Sequence, residues 1–152
     1  MKVSPAVAMF ALTTAVLALG VAVWALLRTV DSGPDYTDQQ RAEATAGICA
    51  AFHTVRTGVA TNTNVEAPDD IAGALAAAAN ARVSLFDGGQ YLLARLDPAT
   101  PGDLAGEVRR FADQLMDIGA AATAGVPNDD PAQAARLQDA EAASTAISGR
   151  CR

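Results

Sequence analysis

The chain is 152 residues long, carries a net charge of −6, and holds one histidine, one tryptophan and two cysteines. Its acidic residues all follow Arg28, so everything beyond the N-terminal stretch is acidic. That argues against nucleic acid as a partner and against a polybasic patch for anionic lipid.

Pro5 to Leu27 contains no charged residue. At 1.5 Å per residue a helix over this segment reaches roughly 34 Å, enough to cross a bilayer core of about 30 Å. Ser4-Pro5 supplies a cap and a first helical residue, and Trp24 falls near the far end, where an indole suits the headgroup level. Residues 1–29 therefore read as one transmembrane anchor. A cleaved signal peptide fits less well. Its apolar region runs about 7–15 residues, and a cut at Ala18-Leu19-Gly20 would leave Val21 to Leu27 exposed. Cys49 lies too far along the chain for a lipoprotein site. A short N-terminal anchor with a long exported tail places the N-terminus in the cytoplasm, the anchor in the inner (plasma) membrane and the C-terminal part outside.

Within the span, Ala8, Ala11, Ala15, Ala18, Ala22 and Ala25 recur at spacings of 3 and 4. A 3.5-residue period keeps one stripe of small side chains facing one partner helix and lets two backbones approach closely. About a quarter of the chain is alanine, which by itself scatters alanines through any segment. Only Ala6 of the span falls off the stripe, however, and the pattern reads as a docking face for another membrane helix.

Residues 30–36 (VDSGPDY) form a linker, with Gly33-Pro34 breaking the helix. Residues 37–152 read as an all-α extracytoplasmic antiparallel bundle of about four helices. The first starts at Thr37, where Thr37 and Gln40 make a capping-box pattern. Ile48, Phe52, Val55 and Val59 then give one apolar face, and the Thr-Asn run at 61–64 with Pro68 ends the helix. The second runs from Asp69 or Asp70 to Leu96, with Leu75, Ala79, Val83, Phe86 and Leu93 sharing a face. Asp87-Gly88-Gly89 interrupts it as either a break or a place of close packing, because two glycines cost about 2 kcal/mol in a helix interior. The third begins at Thr100-Pro101 as cap and first residue, has Asp103 in its first turn, and carries Leu104, Val108, Phe111, Leu115, Ile118 and Ala122 until Gly125-Val126-Pro127 stops it. The fourth opens at Asp130-Pro131 and carries a thin stripe of Leu137, Ala140, Ser144, Ile147 and Cys151. Short Pro/Gly/Asp loops make sequence neighbours pack as neighbours.

Cys49 and Cys151 are an even pair in an exported domain and suggest a disulfide. In an up-down bundle the first and last helices are adjacent, so the pairing is geometrically reasonable. Free buried thiols are the alternative.

Nothing in the sequence assembles a catalytic site. His53 is the sole histidine and has no acid within one helical turn, so it reads as a helix-surface residue. One histidine and two paired cysteines do not make the three or four ligands of a zinc site. Asp69/Asp70 and Asp129/Asp130 sit at helix starts, where carboxylates satisfy free N–H groups. Asp87-Gly88-Gly89-Gln90 lacks the GxxxxGK[ST] pattern of a phosphate loop. Arg109-Arg110 is too small a basic pair for nucleic acid. No enzyme, cofactor or metal is therefore expected. Two functions remain: an accessory subunit docked on a membrane complex through the alanine stripe, or an independent membrane-tethered binding module for an apolar ligand or envelope protein.

The alanine-rich bundle behind one N-terminal helix, the two outer cysteines and the phrase DGGQYLLARLDPATP at 87–101 resemble actinobacterial single-pass membrane proteins of the LucB type, accessory subunits of mycobacterial Mce lipid importers. The resemblance covers length, topology and style and carries no catalytic or binding motif. It implies a non-enzymatic role in lipid transport, beside the Mce permease subunits in the cell envelope.

Overall fold

The computed structural model describes residues 18–24, 35–64, 66 and 69–152. The chain divides into two compact units, Met1–Tyr36 and Thr37–Arg152. In the first, residues 18–24 are helical and exposed. Ala18 and Ala22 lie in this stretch. The rest of the expected Pro5–Leu27 span, with Ala8, Ala11, Ala15 and Ala25, lies outside the described residues. Among the described residues no helix is long and apolar enough to cross a membrane.

The second unit is an all-α bundle, with no strand among its described residues. Its helices are α1 (Asp38–Thr63), α2 (Ile71–Arg95), α3 (Gly102–Thr123) and α4 (Pro131–Arg150). Their ends follow from local chemistry. Thr37 Oγ1 accepts from the Gln40 amide at 3.2 Å while the Gln40 side chain accepts from the Thr37 amide at 2.8 Å, a complete capping box. The Asp70 carboxylate caps α2 through the Gly73 amide, and Asp130 caps α4 through the Ala132 and Gln133 amides with Pro131 in the first turn. Past the end of α3, Gly125 takes a φ of +86°; the Val126 amide donates to the Ala121 carbonyl and the Gly125 amide to the Ala122 carbonyl. This is a Schellman stop, and its positive φ is the reason for glycine there.

The start of α3 differs from the expectation of a Thr100 cap. Pro101 is the N-cap, Gly102 the first helical residue, and no side chain caps the end. Thr100 is buried instead, its Oγ1 unpaired, because the turn from Asp97 folds it inward through a Thr100 amide bond to the Asp97 carbonyl.

α1 packs on α2, α2 on α3 and α3 on α4. The pairs Gly89–Ala112 and Leu85–Gly119 show α2 and α3 running antiparallel, and Gln133–Ile118 with Arg150–Glu107 show the same for α3 and α4. α3 is the centre of the core. Leu104, Val108, Phe111, Leu115 and Ile118 are all buried, and Phe111 meets Phe52 of α1 edge-on at 5.6 Å, a favoured aromatic geometry.

The buried face of α2 is not the expected one. Leu85, Gly89 and Leu92 point inward, whereas Leu75, Ala79, Val83 and Phe86 are exposed; Leu93 alone of the expected face packs partly on the core. The reason is the close approach of α3. A Cβ at Gly89 would lie 2.6 Å from the Ala112 carbonyl oxygen, so the side of α2 facing α3 is the one that offers a glycine at the crossing, with Leu85 and Leu92 filling the layers on either side of it. Asp87-Gly88-Gly89 is accordingly a packing site within an unbroken helix. It follows that Leu75→Gln and Val83→Gln will each shift the unfolding free energy by no more than about 0.5 kcal/mol, far below the 2–5 kcal/mol typical of truncating a buried leucine. Urea titration of the full chain is the check; losses of core size would place this stripe inside.

Candidate functional site

Cys49 of α1 and Cys151, the residue that caps α4, form a disulfide with Cα atoms 5.4 Å apart. Both pack against the edge of the core. Seven residues further along α1, Arg56 Nη1 donates to Ser148 Oγ at 3.2 Å. Arg150 ties the same end of α4 to α3, its Nε 2.9 Å from Glu107 Oε2 and its Nη1 4.0 Å from Asp103 Oδ2.

The expectation that α1 and α4 lie side by side is met only near these ties. The two helices do not pack along their lengths. Beyond Arg56 and Ser148 they part, and a cavity of about 510 Å³ opens between them. Its floor is the core face of α3, at Phe111, Leu115 and Ile118, and α2 contributes one wall through Ala81, Arg82 and Leu85. Leu137, expected in the apolar stripe of α4, is partly exposed and lines this cavity instead of filling the core. Asn64 and Asn128, both exposed, also line it.

The cavity follows from composition. Ala60, Ala78, Ala81, Ala122 and Ala140 all line it. Bundle layers close when facing positions sum to the volume between the helices, and alanine contributed by all four helices leaves that volume unfilled. The space is concave, mostly apolar and edged by a few polar groups, the usual character of a small-molecule site, and its volume falls in the range of about 300–1,000 Å³. Its ionised lining residues are Arg56, Arg82 and Glu141.

The structure brings Cys49 and Cys151 together as expected; the other side chains weighed for chemistry are not gathered into a site. His53 is exposed, its ring 5.8 Å from that of Phe52. Asp70 and Asp130 are helix caps, while Asp69 and Asp129 are exposed beside them. Arg109 and Arg110 lie exposed on α3. Among the described residues no group of three or more His, Cys, Asp or Glu side chains could hold a metal ion. The cavity residues were missed because alanine marks no face. The legible signal was the thinness of the α4 stripe, which forecasts a layer that does not fill.

No protein-family model, no curated protein and no solved structure matches the chain.

Proposed function

We propose that this chain is a non-enzymatic, membrane-tethered module of the cell envelope whose C-terminal bundle binds an apolar small molecule. The observation that carries the reading is the 510 Å³ cavity floored by Phe111, Leu115 and Ile118. A ligand seated there would cover apolar surface that the open side of the groove leaves to water. The uncharged run from Pro5 to Leu27 supports an anchor in the inner (plasma) membrane. The Cys49–Cys151 disulfide supports an oxidising, extracytoplasmic location for the bundle.

Ala60 lines the cavity from an exposed position on α1, so a large side chain there enters the space without displacing the core. Full-length protein extracted in mild detergent is expected to carry lipid detectable by mass spectrometry of an organic extract. Ala60→Trp should reduce that lipid about tenfold, the ratio corresponding to about 1.4 kcal/mol. Equal lipid in both proteins, or none in either, would defeat the reading.

A second reading rests on the alanine stripe of the anchor. Six alanines at heptad spacing suit a helix packed against other membrane helices, and the resemblance to LucB-type subunits would make those helices Mce permease subunits of a lipid importer. The two readings are compatible, since a lipid-binding bundle can sit beside a lipid importer. Replacing Ala11, Ala15, Ala18 and Ala22 with leucine should strip co-purifying membrane proteins from the chain while leaving its bound lipid in place. Unchanged co-purification would reduce the anchor to a tether.

A further inference from the structure

Most of the large apolar side chains that the bundle leaves exposed lie in the first part of α2: Ile71, Leu75, Val83 and Phe86. Their exposure runs from 48% at Phe86 to 81% at Ile71. Single exposed apolar residues are ordinary on a protein surface, but these four are not scattered. With Ala79, also exposed, they recur at spacings of four, four, four and three. Helical residues at that spacing are neighbours about 5–6 Å apart. None of the five lines the cavity between α1 and α4. Arg82 is the one charged residue from Ile71 to Phe86, and it does line that cavity. The stripe is thus an uncharged, solvent-facing side of α2, and an apolar helix face of this kind is ordinarily covered.

The spacing fits a second copy of the same face. Leu75 and Ile71 precede Ala79 by four and eight residues, and Val83 and Phe86 follow it by four and seven. In an antiparallel pair about a twofold axis at Ala79, Leu75 of one copy meets Val83 of the other, and Ile71 meets Phe86. Alanine at the axis lets the two backbones approach, while the larger groups fill the space on either side. A twofold dimer requires a face that is its own complement in this way. Charge selects the same face. Copies of a chain of net charge −6 repel one another over most of their surfaces, and this stripe brings no carboxylates together. A buried side chain of this size covers on the order of 100 Å². The four, with the alanines beside them, offer about 500 Å² per copy and about 1,000 Å² over two, where specific interfaces begin.

We propose that the chain forms a homodimer through this face of α2, with Ile71, Leu75, Ala79, Val83 and Phe86 packed antiparallel on their counterparts. The proposal is independent of the cavity and of any ligand in it. An interface at the lower end of the size range makes the dimer a weak one, dissociated by dilution.

Sedimentation equilibrium of the full chain in mild detergent is expected to show a dimer that forms with rising concentration. Leu75→Glu and Val83→Glu should each weaken it about tenfold or more, because each substitution acts at two places in a twofold dimer. Both positions are exposed, so neither charge enters the core. An unchanged thermal midpoint in dilute, monomeric protein establishes that lost pairing is not lost fold. Ala79→Cys locates the axis. On mild oxidation its thiols should link two copies, since a disulfide joins Cα atoms about 4.4–6.8 Å apart. Ala120→Cys, at an exposed position of α3, should not. A monomer at every concentration, or a dimer that both glutamates leave intact, overturns the proposal. Linkage of the Ala79→Cys variant to a different protein in native membranes also overturns it and gives the face to another partner. A monomeric variant whose thiol is shielded from a water-soluble maleimide in liposomes, but not in detergent, overturns it in favour of lipid.

Discussion

Replacing Cys49 and Cys151 with serine, or reducing the bond between them, is expected to destabilise the bundle by about 2–5 kcal/mol. The bond closes a loop across a sequence separation of 102 residues, and in the chain-entropy account a loop of about 100 residues loses roughly 4.7 kcal/mol of unfolded-state freedom when cross-linked. The native contacts give a second reason for a value in this range. α4 buries one large apolar side chain, Ile147, beside Gln133, Ala140 and Ser144, and it does not pack along α1. Without the disulfide it keeps its face on α3, the Arg56–Ser148 bond and the Arg150 ion pair. Exposed pairs of that kind contribute about 0–1 kcal/mol each. Thermal unfolding of the full chain, followed by circular dichroism with and without reductant, should show a midpoint lower by roughly 10–20 °C. Hydrogen exchange should show residues 131–150 opening first. A midpoint unmoved by reduction would mean that α4 is held by its packing alone.

The disulfide also bears on the cavity. Cys49–Cys151 and Arg56–Ser148 form the apex from which α1 and α4 part, so cutting the covalent tie widens the space rather than filling it. A ligand that bridges α1, α3 and α4 would stabilise the reduced protein in proportion to its occupancy.

The sequence made the helices legible wherever a side chain must satisfy a backbone group. Thr37, Asp70, Asp130 and Gly125 each mark an end that the structure keeps, because capping depends on residues next to one another in the chain. The α3 face was equally legible, since it meets neighbours on both sides and its apolar stripe is wide and regular. The rotation of α2 was not. Hydropathy favoured Leu75, Val83 and Phe86, yet which side of α2 can approach α3 depends on the distance between two backbones, a tertiary quantity. The sequence carried it only as two glycines that could equally have been a break. The cavity was illegible for a related reason: alanine is compatible with a surface, a tight interface or an unfilled layer, and only the course of α1 and α4 decides among them.

Gly89→Ala tests that account at the α2–α3 crossing. On helix propensity alone the substitution should stabilise α2 by about 1 kcal/mol. The added Cβ, however, would stand 2.6 Å from the Ala112 carbonyl oxygen and 2.6 Å from Met116 Cγ. Met116 is flexible and can move aside. The carbonyl belongs to the buried middle of α3 and cannot, so the helices must separate, at an overpacking cost of about 1–3 kcal/mol. The neighbouring layer amplifies the effect, because Gly119 admits Leu85, whose Cβ would be 3.3 Å from a Cβ there; any separation at Gly89 strips contact from Leu85 and Leu92 as well. Gly47→Ala and Gly58→Ala on α1 meet nothing within 4 Å and should each stabilise by about 0.5–1 kcal/mol. Chemical denaturation of the three variants in the full chain therefore gives opposite signs for one substitution type in two helices of one bundle. Stabilisation by all three would mean that α2 and α3 do not touch at Gly89, and the exposed stripe of Leu75, Val83 and Phe86 would then lose its explanation.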